Sequence, residues 1–260
     1  MPAETIDDVL RELDGIIEWS FDRRSRLGYF AALYRRVTLA VKEGILNGRF
    51  QDGVRMERLD IMFASRYLDA LQQFRSGRST TLSWRAAFQA ASYWYPLVLQ
   101  QLLLGMNAHI NLDLGVAAAC CAPGSQFSSL QADFNQINTL LAEQVGAVET
   151  ELAEISPWIG LLEKFDLRTE TKIINFSMAR ARDCAWAEAG HLVATPPESL
   201  DTTIAALDWR VAVLGRLVAS PPLLVKLQLL PVRARENNDV RRVLEILAGR
   251  ETAAATSASA

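Results

Sequence analysis

The sequence predicts an all-α protein, a single-domain helical bundle around one central buried helix at about residues 97–122. Three observations carry this. Apolar residues recur every three or four positions along most of the chain, and no stretch alternates in the manner of a half-buried strand. Proline, glycine and serine punctuate the periodic segments. The third observation is the run LVLQQLLLGMNAHINLDLGVAAACCA from Leu97 to Ala122, apolar on nearly every side, as a helix at the centre of a protein must be.

Half of the 260 residues are hydrophobic, enough for a sizeable core. A net charge of −3 supplies no general attraction to nucleic acid or to an anionic membrane surface. The three cysteines, Cys120, Cys121 and Cys184, form neither a disulfide framework nor a zinc spacing, which fits a reducing compartment. The acidic stretch Met1–Asp14 lacks the pattern of a secretory signal, so a cytoplasmic location is expected. The central helix is long enough to span a bilayer, but Gln100, Gln101, His109 and Asp113 would be costly there, and no transmembrane span is expected.

Three regions are expected: an N-terminal helix and connection over 1–27, the bundle over 28–249 and a disordered tail over 250–260. Ile6, Val9, Leu10 and Leu13 predict a short outer helix ending near Gly15, with 18–26 as a connection. A second helix runs from Leu27 to Leu46 and stops at Asn47-Gly48. Asp52 caps a third, Val54–Phe74, and Thr81 or Ser83 a fourth that Pro96 interrupts before the central helix. Ser128 or Ser129 caps a long helix to Ala153, and Ser156-Pro157-Trp158 opens a short one. Helices at about 170–193 and 199–219 end at paired prolines, and two short helices are expected around Pro231.

The chemistry concentrates in the central helix, where Asn107, His109, Asn111 and Asp113 interrupt the apolar surface. At about 100° per residue, His109 and Asp113 share one side and Asn107 and Asn111 nearly the opposite one. An i,i+4 His/Asp pair can set the imidazole tautomer and leave the other nitrogen for a proton or a metal; it can equally satisfy itself inside a core. Gly105 and Gly115 bracket the segment and suggest close approach of a helix or ligand. Elsewhere, Arg66 and Asp69 at i,i+3 suit an ion pair, Arg182 and Trp186 at i,i+4 a cation–π contact or an anion clamp, and Asp133 lies beside an apolar stripe. His191, near a helix C-terminus, reads as a dipole partner.

GMNAHINLDL at Gly105–Leu114, RMERLDIMFASRYLDAL at Arg55–Leu71, DFNQIN at Asp133–Asn138 and FSMARARDCAW at Phe176–Trp186 resemble a bacterial all-helical family of unknown function. The resemblance covers roughly Tyr29–Val193 and implies a helical domain without an established activity. It also implies a shared polar set that includes Arg58, Asp60, Arg66, Asp69, Asn107, His109, Asn111, Asp113, Asp133, Asn138, Arg182, Asp183 and Trp186.

Three functional readings follow. In the first, His109 oriented by Asp113 is the acid–base group of a hydrolase, isomerase or cyclase acting on a lipid-like or polyketide-like molecule. Asn107, Asn111, Arg66, Asp69, Arg182 and Trp186 would bind that substrate, with Arg66 or Arg182 on an anionic group. In the second, His109, Asp113 and one of Asp60, Asp69 or Asp133 hold a metal, although only two histidines exist. In the third, the same residues orient an apolar ligand or fix the fold without catalysis. The expected partner is an apolar or anionic small molecule.

Overall fold

The computed structural model describes residues 3–157 and 178–249. The short helix expected at Trp158, the start of the helix expected near 170 and the tail over 250–260 lie outside the described residues. Among the described residues every regular element is helical, as the sequence predicts: α1 (Ile6–Arg23), α2 (Gly28–Leu46), α3 (Gly53–Arg75), α4 (Leu82–Ala90) and α5 (Val98–Ala108). A π-helical turn (His109–Leu114) joins α5 to α6 (Gly115–Cys121). A 3₁₀ turn at Gly124–Gln126 precedes α7 (Phe127–Ile155), and α8 (Met178–Ala194), α9 (Pro197–Ala219), α10 (Leu223–Arg235) and α11 (Val240–Leu247) follow.

Two helices run further than their punctuation predicts. Helix α1 passes through Gly15 because Ile16, Ile17 and Ser20 continue its buried stripe, and their burial outweighs the roughly 1 kcal/mol cost of an exposed glycine. Its N-terminus is closed by a capping box between Thr5 and Asp8, and it stops at Arg24, whose φ of 50° is left-handed. Helix α10 carries Pro231 inside it rather than breaking there.

Helix α4 shows tertiary structure replacing a local signal. Neither Thr81 nor Ser83 caps it; Asp208 of α9 accepts from the Leu82 and Ser83 amides at 2.7 and 2.9 Å. Asp52 does cap α3, accepting from the Arg55 amide at 2.9 Å.

The continuous stretch α5–π turn–α6 is the centre of the bundle, with α2, α3, α4, α8 and α9 packed around it. Val98–Cys121 is long and apolar enough to cross a membrane, and 83% of its window is buried inside the protein, the environment of a core helix. Its glycines permit close packing. A Cβ on Gly105 would come within 2.5 Å of the Phe30 ring, and one on Gly115 within 3.1 Å of the Ala185 carbonyl oxygen on α8.

Candidate functional site

The π turn places two polar groups on different sides of the central helix, and they meet different fates. A π turn holds an extra residue per hydrogen-bonded ring, a feature that recurs at functional sites. On one side, Asn107 Nδ2 donates to the Val211 carbonyl of α9 at 2.9 Å, and Asn111 Nδ2 donates to Asn107 Oδ1 at 3.0 Å. Asn107 is buried and engaged through both ends of its amide. This pair fastens the central helix to α9 and does not line the cavity described below, so it is not placed to bind a substrate there.

On the other side, Asp113 is buried and accepts from Arg66 Nε and from Trp84 Nε1, both at 2.7 Å. Both its oxygens are therefore occupied. His109 Nδ1 stands 3.7 Å from Asp113 Oδ2, beyond hydrogen-bond distance, so the carboxylate does not orient the imidazole as the i,i+4 spacing predicts. The imidazole is instead gripped by rings: Phe63 stacks on it with centroids 3.5 Å apart, and Tyr34 meets it edge-on at 4.4 Å. Among the described residues neither ring nitrogen has a hydrogen-bond partner. Burial lowers the His109 pKa despite the opposing pull of Asp113, so the ring is neutral at pH 7.

His109 lines a cavity of about 490 Å³ enclosed by α2, α3, the central helix, α7 and the first turns of α8. Its walls are largely Leu, Val, Ile, Met and Phe side chains. The volume falls within the range of roughly 300–1,000 Å³ typical of small-molecule sites. Few polar groups interrupt these walls, and Asp60 on α3 matters most. It is buried, its Oδ2 has no hydrogen-bond partner among the described residues, and burial, with Glu57 adding repulsion, pushes its pKa up to about 7. Tyr34 also lines the cavity, and its hydroxyl has no hydrogen-bond partner among the described residues. In the sequence Asp60 stands as an alternative metal ligand and as a member of the polar set the family resemblance implies; no spacing rule signals that it faces an apolar cavity.

Arg182 on α8 also lines the cavity. Its Nε donates to Asn138 Oδ1 and its Nη2 to the Phe134 carbonyl, both at 2.6 Å. The guanidinium lies over Phe134, 4.5 Å from the centroid, rather than over Trp186. Trp186 stacks on Phe127 at 4.2 Å and is not part of the cavity wall. Asp69 is exposed and lies outside the site, and its expected partner Arg66 pairs with Asp113 instead. Asp133 accepts from the Gln51 and Asp52 amides and from Arg55 Nη2, anchoring the turn before α3.

The ligand set His109, Asp113 and Asp133 is thus not assembled, because each carboxylate is held by cationic and neutral donors in a different place. Among the described residues no three His, Cys, Asp or Glu side chains converge to hold a metal. Arg58 reaches the Cys121 carbonyl at 2.7 Å and closes the end of α6, and His191 is exposed.

The model of a family of unknown function, DUF5995, matches residues 6–221. The chain belongs to that family. The match is broader than the resemblance read from the polar motifs and includes α1, α9 and the helices that surround the cavity. No curated protein and no solved structure matches the chain.

Proposed function

We propose that this protein is an enzyme that takes an apolar small molecule into the cavity and carries out proton-transfer chemistry on it with His109 and Asp60. One observation carries the reading: a buried imidazole and a buried carboxyl, both with atoms lacking partners, line one apolar cavity. Most buried polar groups are hydrogen-bonded, as Asn107 and Asp113 are here, and an imidazole and a carboxyl left incomplete beside one cavity depart from that pattern together. The apolar surroundings favour the uncharged form of each group. His109 is a neutral base at pH 7, and Asp60, titrating near 7, is available as an acid and as a carboxylate. Asp113 is occupied by Arg66 and Trp84 and takes no direct part in the proton transfer. This chemistry suits hydrolysis, isomerisation or cyclisation of a lipid-like or polyketide-like molecule.

The test is incubation of purified wild type and His109→Gln with a lipid extract, followed by mass spectrometry of the bound and free fractions. Depletion of an apolar compound with appearance of a product in wild type alone is the expected result. A compound retained by both proteins and changed by neither would reduce the function to binding.

A further inference from the structure

Two arginines identified by sequence as candidate anion clamps differ in what surrounds their charge. Arg66 is neutralised by Asp113 at 2.7 Å. Arg182 is only 4% exposed, and both groups it donates to, the Asn138 amide oxygen and the Phe134 carbonyl, are uncharged. Among the described residues no carboxylate lies within ion-pair distance of it; its exposed neighbour Asp183 offsets the burial of its charge only in part. A buried cation without a counter-charge is costly by several kcal/mol, and neutral acceptors offset only part of that. Burial draws the Arg182 pKa down to about 10, which still leaves the group charged at pH 7.

Among the described residues, the other charged groups in the cavity wall do not pair with Arg182. Arg36 is paired with Glu151, and Glu149 is exposed. Asp60 stands on α3 and Arg182 on α8, and no ion pair joins them among the described residues. An anion placed beside Asp60 would meet a carboxyl that is half ionised near pH 7.

We propose that the occupant of the cavity is an amphiphile with one anionic end, a long-chain carboxylate, whose head is received by Arg182 beside Asn138 and whose tail lies along the apolar walls. The inference rests on the cavity being a ligand site. A single guanidinium with a neutral amide beside it matches a single negative charge, whereas a phosphate monoester would bring nearly two.

The experiment is displacement of the uncharged fluorophore N-phenyl-1-naphthylamine from the full chain at pH 7.5. Hexadecanoate, methyl hexadecanoate and hexadecyl phosphate are compared below their micellar concentrations. Hexadecanoate is expected to displace the fluorophore at about tenfold lower concentration than its methyl ester, equivalent to about 1.4 kcal/mol. Arg182→Gln should shrink that difference to less than about twofold, and Arg182→Lys should keep part of it. If Arg182→Gln shows no cooperative unfolding transition, the wild-type and Arg182→Lys comparisons decide. Equal displacement by hexadecanoate and its ester would overturn the anionic head while leaving the apolar cavity reading intact. Tighter binding of hexadecyl phosphate than of hexadecanoate would overturn the carboxylate. Failure of the fluorophore and all three probes to bind would overturn both this inference and the cavity as a ligand site.

Discussion

The two polar sides of the central helix are built from similar residues at identical spacing, and they do different things. Asn107 and Asn111 meet the backbone of α9 and each other, so both ends of the Asn107 amide are engaged. Asp113 is equally satisfied, by Arg66 and Trp84, yet His109 one turn earlier has neither nitrogen engaged and opens on a cavity. Buried polarity therefore differs between the two sides of this helix. Where the partners are complete, the residue holds helices together; where they are incomplete beside a cavity, the residue is available to a ligand.

Four substitutions sharpen or break that contrast. Asp113→Ala should have the largest effect, because it strands the Arg66 guanidinium and the Trp84 indole N–H together; a loss of about 3 kcal/mol in chemical unfolding is expected. Asn107→Ala should cost roughly 1–3 kcal/mol by removing the tie to the Val211 carbonyl and the acceptor of Asn111, while fluorophore uptake by the cavity stays at the wild-type level. Loss of uptake in this variant would erase the distinction between the two sides.

Asp60→Asn tests the cavity through pH. The folded carboxyl titrates near 7 against an ordinary value of 3.8, so the folded state holds the proton more tightly across that window. Stability from this group is present at low pH and is lost as pH rises from about 4 through 7. The Asn variant should lack that slope and exceed wild type at pH 8 by roughly 1–3 kcal/mol in unfolding free energy.

His109→Phe should move stability least, by less than about 1.5 kcal/mol, since no hydrogen bond is lost and the site is already walled by rings. Its pH response is opposite to that of Asp60. Burial depresses the His109 pKa, so wild type loses stability as pH falls below the ordinary value of 6.5, where the unfolded chain takes up the proton first. Thermal melts from pH 7 to pH 5 should show this decline reduced in the variant. A large destabilisation at neutral pH would return His109 to a purely structural role.

The helical class, the position of the central helix and the separation of its polar residues into two sides were legible in the chain before any contact was known, because helical periodicity and spacing are local properties. The residues that explain Gly105 and Gly115 are not local, but the need for close packing there was legible from glycine in an apolar helix. Only the tertiary structure decided the pairings. Asp113 found Arg66 and Trp84 instead of His109, Asp133 found Arg55, Arg182 found Asn138, and Asp60 found a cavity. Spacing along one helix fixes the side on which a residue stands; the partner waiting there depends on how distant helices are set against it, and no period in the sequence encodes that register.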